Sequence, residues 1–113
     1  FNKDGELSLI TGSPGGSLIP AAILRVVTGV IDFELDIGQA TMLPRVHKDW
    51  PTTGILHERT LNADSIRGIR NIGHKMTPEH TMGSTQSIHI VDGVNYGYAD
   101  LRRPNASVST QAN

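Results

Sequence analysis

The stretch Gly12-Ser13-Pro14-Gly15-Gly16-Ser17 and the apolar run after it decide how this chain of 113 residues folds. Residues 6–11, just before the glycines, have the composition of a short strand. Ser17 is a favourable N-cap for a helix over residues 18–33, and Pro20 is tolerated in the first helical turn. The sequence therefore predicts a strand, a glycine-rich turn and a long helix in direct succession.

The predicted helix over residues 18–33 is apolar around nearly its whole circumference, with Arg25 and Thr28 as interruptions. A helix of this kind is usually buried between two layers of structure. Its length of about 24 Å and the charge of Arg25 argue against a membrane span, because a bilayer core is about 30 Å thick. The rest of the chain has little apolar surface, so we expect part of the cover to come from outside these residues.

The remaining elements are shorter. Asp36 is predicted to cap a second helix that ends near Met42, and Asn62 or Asp64 a third helix over residues 63–72, with Gly73 as its stop. Residues 45–53 are predicted to be irregular, and strands are predicted at 55–58, 75–77, 84–91 and 94–99. The turn Asp92-Gly93 joins the last two strands as a hairpin. This order indicates an α+β fold with helices packed on an antiparallel or mixed sheet.

The composition excludes several classes of function. A formal net charge of −1 offers no basic surface for nucleic acid or an anionic membrane. The absence of cysteine excludes disulfides and thiolate chemistry. The five histidines lack the spacing of a zinc site, so we expect no metal, and no cofactor is expected. Four serines lack the G-x-S-x-G pattern and a visible catalytic partner, and we interpret them as turn and cap residues: Ser13, Ser17, Ser84 and Ser87.

The glycine-rich turn has two interpretations from the residues alone. A strand that runs through glycines into a helix gathers unpaired backbone N–H groups at the positive end of the helix dipole. Such a place suits a phosphate, a carboxylate or a developing oxyanion, although the nucleotide patterns G-x-x-x-x-G-K-[ST] and G-x-G-x-x-G are absent. The alternative is a tight connection whose glycines serve only backbone geometry.

Three other segments have less specific interpretations. Pro44-Arg45-Val46-His47-Lys48-Asp49-Trp50 could line a cleft, contact another subunit or form an ordinary anchored loop. Met82-Gly83-Ser84-Thr85-Gln86-Ser87 is a polar entry into a strand, either beside a site or at a sheet edge. Asp4-Gly5 is a hairpin signal whose incoming strand would be Phe1 alone, which predicts a natural chain that extends further upstream.

Taken in order, these segments resemble the C-terminal part of the small subunit of gamma-glutamyltranspeptidases. The resemblance runs from about Gly5 to Pro104, and it implies a subunit portion over residues 1–104 and a loose tail over 105–113. The blocks that carry it are Gly12-Ser13-Pro14-Gly15-Gly16-Ser17, Ile31-Asp32-Phe33, Pro44-Arg45-Val46-His47, Met82-Gly83-Ser84-Thr85-Gln86-Ser87, Tyr96-Gly97 and Asp100-Leu101-Arg102-Arg103-Pro104. The GSPGGS and MGSTQS blocks are specific to the family.

The resemblance implies part of an N-terminal nucleophile hydrolase fold, an αββα sandwich, in a protein that cleaves itself into two subunits. In the family, the N-terminal threonine of the small subunit attacks the gamma-glutamyl amide of glutathione and related compounds, and the acyl group passes to water or to an amino acid or peptide. That threonine would lie upstream of Phe1, so the chain alone is expected to be inactive. The implied partners are gamma-glutamyl substrates, the large subunit and the remainder of the small subunit, and bacterial members are typically periplasmic or secreted.

The same resemblance matches Gly15 and Gly16 to the family's oxyanion hole, where backbone N–H groups contact the substrate. Pro20 and Leu101 depart from the family pattern, since a non-proline residue and a proline are usual at these two positions. They leave open a related acylase or amidase, such as a cephalosporin acylase or a poly-gamma-glutamate depolymerase. A non-catalytic anion-binding domain is a further alternative.

Overall fold

The computed structural model describes residues 1–51 and 54–111, which form two three-stranded sheets and three α-helices. The elements in chain order are β1 (Leu9–Gly12), a 3₁₀ turn (Gly16–Leu18), α1 (Ile19–Ile31), α2 (Ile37–Met42), β2 (Val46–His47), β3 (Gly54–Glu58), α3 (Ala63–Asn71), β4 (Lys75–Glu79), β5 (Gln86–Val91) and β6 (Val94–Ala99). The predicted α+β class is confirmed.

The two sheets differ in strand direction. The first has the order β1-β5-β6 and is antiparallel throughout, so that Gly12 at the end of β1 pairs with Gln86 at the start of β5. The second has the order β2-β3-β4, in which β2 runs antiparallel and β4 parallel to β3. Helix α3 provides the crossover that a parallel pair requires. The first sheet therefore places the ends of two sequence blocks, GSPGGS and MGSTQS, side by side.

Helix α1 is covered on one side only by the residues that the structure describes. It packs against α2 and β1 through a stripe formed by Ala22, Val26 and Gly29, where a Cβ on Gly29 would lie 2.8 Å from the Cβ of Ala40. Its opposite side is open, and Leu24 is 63% exposed. The described residues therefore cover one side of α1, as the shortage of apolar surface in the sequence indicated.

The helix caps follow local chemistry with one exception. Asp36 accepts the Gln39 N–H at 2.8 Å in a capping box, and Asn62 rather than Asp64 caps α3, so both caps are confirmed. Ser17 is not the N-cap of α1, because it lies inside the 3₁₀ turn and neither helical segment has a side-chain cap there. Pro20 lies in the first turn of α1, where the missing N–H costs nothing.

Other boundaries differ modestly from the predictions. Strand β1 begins at Leu9 rather than at residue 6, and Val46–His47 forms a two-residue strand inside a segment predicted to be irregular, of which residues 52 and 53 lie outside the described part. The Asp4-Gly5 turn closes onto Asn2, whose side chain accepts the N–H of Asp4 at 3.0 Å. Within residues 1–51 and 54–111, no helix is long and apolar enough to cross a membrane.

The predicted tail over residues 105–113 is described up to residue 111 and has neither helix nor strand in that part. Val108 nevertheless packs on strand β6, where a Cβ built on Gly97 would lie 2.8 Å from its Cγ1. The division at residue 104 stays a prediction.

Candidate active site

The glycine turn connects β1 to the helical segment that begins at Gly16, and its backbone adopts conformations that require glycine. Gly15 has φ 136° and ψ 16°, and Gly16 has φ 58°. Steric repulsion excludes a residue with a Cβ from the conformation of Gly15. The same repulsion makes the conformation of Gly16 unfavourable for such a residue. Gly16 is exposed and Gly15 is half-buried, so the turn is accessible from outside.

The N–H groups of Gly15 and Gly16 are unpaired, since neither donates a hydrogen bond to any residue within 1–51 and 54–111. They precede α1, so the positive end of a helix dipole lies beside them. Two adjacent free donors at a helix N-terminus can stabilise an anion or a developing oxyanion. This geometry is compatible with the role that the sequence predicts for both glycines.

Residues 82–84 form the opposite wall of the turn. The Ser84 N–H donates to Ser13 Oγ at 3.0 Å, and the Ser13 hydroxyl donates to the Pro14 carbonyl at 2.8 Å. Gly83, with φ 70°, approaches so closely that a Cβ there would lie 2.7 Å from Ser13 Oγ. The structure thus brings the GSPGGS and MGSTQS blocks into contact, and the latter leads into β5, the central strand of the first sheet, so it does not lie at a sheet edge.

A buried group of four charged side chains lies behind this wall. Arg45 Nη2 contacts Asp100 Oδ2 at 2.7 Å, with both side chains fully buried. Arg102 contacts Glu58 through two nitrogens, at 2.6 and 2.7 Å, and also reaches Asp100 Oδ1 at 3.2 Å. Two guanidinium groups and two carboxylates balance in charge, which is the condition for keeping ions in a protein interior. We call these four residues the buried ion network.

The buried ion network holds the backbone of residues 82–85. Glu58 Oε1 accepts the Met82 N–H at 2.9 Å, and Asp100 Oδ2 accepts the Thr85 N–H at 2.9 Å. Arg45 donates to the Met82 carbonyl. The sequence did not single out Glu58, because nothing in a strand-terminal glutamate distinguishes a buried ion from a solvated one. Arg45 belonged to the Pro44–Trp50 segment as well as to a family block, and Asp100 to a family block, but neither was predicted to be a buried ion.

The Pro44–Trp50 segment anchored by Arg45 also contacts the glycine turn, at Ser17. Asp49 Oδ1 lies 2.8 Å from His47 Nε2, and the Ser17 hydroxyl donates to Asp49 Oδ2 at 3.4 Å. Trp50 is 93% exposed. The anchored-loop interpretation therefore fits the Arg45 end, whereas a cleft lining or a subunit contact by this segment stays a prediction. Among the residues that the structure describes, no group of three histidines or acidic residues could hold a metal ion.

The two carboxyl groups of the network have shifted pKa values. Burial has the largest single effect and would by itself raise the pKa of both Glu58 and Asp100. Hydrogen bonds from arginine side chains and backbone amides together outweigh burial. As a result, the pKa of Glu58 lies below its ordinary 4.5 and the pKa of Asp100 below its ordinary 3.8.

These lowered pKa values predict loss of stability in acid. Both groups bind a proton more weakly in the folded state, so their contribution is complete above the ordinary pKa values of 4.5 and 3.8 and is lost as the pH falls through the lower folded values. Urea unfolding of the full-length protein between pH 7 and pH 3 should show this decline. Asp100→Asn should flatten the slope, and a free energy of unfolding that stays constant on acidification would contradict the prediction.

Comparisons with known proteins give a consistent result. A family profile described as gamma-glutamyltranspeptidase matches residues 1–110. The chain is 40% identical over 101 residues to a glutathione hydrolase proenzyme of Escherichia coli (strain K12), covering 88% of this chain and 17% of that protein. A mutant gamma-glutamyltranspeptidase of Helicobacter pylori superposes with a TM-score of 0.86 at 30% identity, covering 91% of this chain and 58% of that one.

A more distant structure shares the fold. A cephalosporin acylase from Bacillus halodurans superposes with a TM-score of 0.83 at 24% identity, covering 91% of this chain and 20% of that one. The predicted membership of the N-terminal nucleophile hydrolase fold is confirmed by the high TM-scores. The chain spans less than two thirds of the length of each of these relatives.

Proposed function

The chain belongs to the gamma-glutamyltranspeptidase family, and from this premise we propose that it is part of an enzyme that cleaves the gamma-glutamyl amide of glutathione and related compounds. The acyl group would pass to water or to an amino acid or peptide. The catalytic threonine, the large subunit and the remainder of the small subunit would lie outside these 113 residues. Relatives that are glutathione hydrolase proenzymes support this assignment.

Within this enzyme, Gly15 and Gly16 are proposed to form the oxyanion hole. The observation that carries the proposal is the pair of unpaired N–H groups on a turn that only glycine can adopt, at the start of α1. The threonine Oγ attacks the gamma-carbonyl carbon while the threonine amino group takes its proton. The carbonyl oxygen becomes an oxyanion that accepts from the two N–H groups, and removing one such donor typically costs about 2.7–4 kcal/mol.

The tetrahedral intermediate then collapses to an ester of the threonine, and the expelled amine takes up the proton held by the amino group. Water or an acceptor amine attacks the ester carbonyl, and the same two donors stabilise the second oxyanion. Gly15 and Gly16 therefore serve both halves of the reaction without any proton transfer of their own. Their backbone N–H groups cannot be lost by side-chain substitution, only moved or crowded.

Activity of the full-length protein tests this function. It should release p-nitroaniline from gamma-glutamyl-p-nitroanilide, and an acceptor dipeptide should increase the rate if transfer competes with hydrolysis. The matched substrate is glutaryl-p-nitroanilide, which lacks only the alpha-amino group and should react far more slowly. Faster turnover of the glutaryl amide would favour an acylase instead, and appreciable turnover by residues 1–113 alone would refute an external nucleophile.

A further inference from the structure

The Ser13 hydroxyl has a hydrogen-bond polarity that its two partners fix. The Ser84 N–H can only donate, and it lies 3.0 Å from Ser13 Oγ. The Pro14 carbonyl can only accept, and it lies 2.8 Å from the same oxygen. The hydroxyl must therefore accept from Ser84 and donate to Pro14. In this arrangement one side chain connects the backbone of residues 82–84 to the backbone of the glycine turn.

The bond to Pro14 has a consequence for the next N–H group along the chain. The Pro14 carbonyl and the Gly15 N–H belong to one planar peptide unit, and in a trans peptide they point in opposite directions. Holding the carbonyl toward Ser13 therefore directs the Gly15 N–H away from it. A turn that contains Gly15 and Gly16 has little conformational preference of its own, so hydrogen bonds to neighbouring groups must orient its N–H groups.

Residues 82–84 can fix the position of Ser13 because they are themselves fixed in place. Ser84 is 3% exposed, and the flanking residues Met82 and Thr85 donate their N–H groups to the buried carboxylates of Glu58 and Asp100. Gly83 leaves just enough room for the Ser13 hydroxyl to sit against it. Two hydrogen bonds thereby connect the Gly15 peptide to residues 82–84, and the bonds of Met82 and Thr85 connect that segment to the buried ion network.

We propose that Ser13 is a positioning residue that orients the Gly15 N–H toward the oxyanion, an inference that rests on the proposed function of the glycine turn. Ser13 does not touch the substrate. Ser13 acts by fixing the orientation of the Pro14–Gly15 peptide, and the MGSTQS segment in turn fixes the position of Ser13. Loss of the hydroxyl therefore weakens stabilisation of the tetrahedral state while binding of the planar substrate is retained.

Ser13→Ala in the full-length enzyme tests the proposal against Ser17→Ala, a serine of the same turn whose hydroxyl points to Asp49 instead. Ser13→Ala should lower kcat by about 10- to 100-fold, since a misplaced catalytic group costs up to about that much. The KM for gamma-glutamyl-p-nitroanilide should stay within about twofold. The melting temperature should fall somewhat below that of Ser17→Ala, because Ser13→Ala leaves the N–H of the buried Ser84 without its acceptor, but the enzyme should remain folded at assay temperature.

A second readout separates positioning from a general structural role. The boronic acid in which B(OH)₂ replaces the gamma-carboxamide of the donor forms a tetrahedral adduct with the nucleophile and so requires the oxyanion hole. Its inhibition constant should rise in Ser13→Ala by the same factor by which kcat falls. A Cβ on Gly83 would lie 2.7 Å from Ser13 Oγ and 3.0 Å from the Ala22 Cβ, at φ 70°. Gly83→Ala should therefore lower kcat in the wild-type background, and by a smaller factor in the Ser13→Ala background, where the first of these two clashes is relieved.

The outcomes distinguish the positioning role of Ser13 from the oxyanion-hole function on which it rests. If Gly15→Ala lowers kcat while Ser13→Ala leaves kcat at the level of Ser17→Ala, the positioning role is wrong and the oxyanion hole stands. If neither substitution lowers kcat, the oxyanion assignment itself is wrong. A loss of kcat in Ser13→Ala that is matched by an equal loss of thermal stability, with an unchanged boronate inhibition constant, would also overturn the positioning role.

Discussion

Gly15→Ala is expected to lower kcat of the full-length enzyme by about 10²- to 10³-fold, the loss typical of removing one oxyanion donor. The reason is the backbone conformation of Gly15 itself rather than a clash with a neighbouring residue. A Cβ on Gly15 would meet its nearest neighbour, the Gly83 Cα, at an ordinary 3.5 Å, but φ 136° is closed to any residue that carries a Cβ. An alanine must rotate this angle, which changes the direction of the Gly16 N–H relative to that of Gly15.

Two other glycines of the same turn provide a graded control. Gly12→Ala should leave kcat nearly unchanged, because Gly12 has no positive φ and a Cβ there meets nothing within 4 Å. Gly16→Ala should also lower kcat strongly with a modest change in stability, since φ 58° costs an alanine about 1–2 kcal/mol and its Cβ would enter open space. That open space is where the substrate is proposed to bind.

Steady-state kinetics with gamma-glutamyl-p-nitroanilide, combined with thermal melting, test the predicted effect of Gly15→Ala. A folded Gly15→Ala enzyme with unchanged kcat would contradict the oxyanion assignment. A rise in KM at constant kcat would instead indicate that the turn binds the ground state of the substrate. Backbone strain of about 1–3 kcal/mol in this variant should lower the melting temperature without unfolding the protein at assay temperature.

Features could be predicted from the sequence where the partner of a residue lies a few positions away along the chain, and could not where the partner is distant in sequence. The Asp36 and Asn62 caps were predicted because a cap bonds to a backbone N–H three residues away. The cap at Ser17 was wrong, since the glycines before it start a 3₁₀ turn and its hydroxyl bonds to Asp49, 32 residues further along. Local chemistry was insufficient where a distant partner competed for the same side chain.

The candidate site shows the same limit. The glycine turn could be found from its residues, because positive φ angles and a helix N-terminus have a local signature. Ser13 looked like an ordinary turn serine, since its partner Ser84 is 71 residues away. The pairing of Arg45 with Asp100, across 55 residues, and the parallel pairing of β3 with β4 likewise have no signature in a single sequence.

Asp100→Asn is expected to lower the free energy of unfolding of the full-length protein by about 3–5 kcal/mol, the usual cost of removing one partner of a buried ion pair. The substitution keeps the size of the side chain but leaves Arg45 and Arg102 facing Glu58 alone, with one excess positive charge inside the protein. Arg45 has no alternative, because its side chain is fully buried and cannot turn to solvent. Urea unfolding at pH 7 measures the loss.

An exposed pair in the same protein is the matched control. Asp64→Asn breaks the ion pair with Arg67, whose side chain is 70% exposed, and should change the free energy of unfolding by less than about 1 kcal/mol. A similar loss in both variants would mean that Asp100 contributes as a generic acidic residue rather than as part of a buried network.

The double variant Arg45→Met/Asp100→Asn separates charge balance from geometry. It restores neutrality, because one positive and one negative charge have both been removed, so it should be less destabilised than the sum of the two single variants, by a coupling of about 0.5–3 kcal/mol. It also loses the Arg45 bond to the Met82 carbonyl, and therefore part of the hold on residues 82–84. If Ser13 connects residues 82–84 to Gly15 as proposed, the double variant should regain a larger part of the free energy of unfolding lost in the single variants than of their lost kcat.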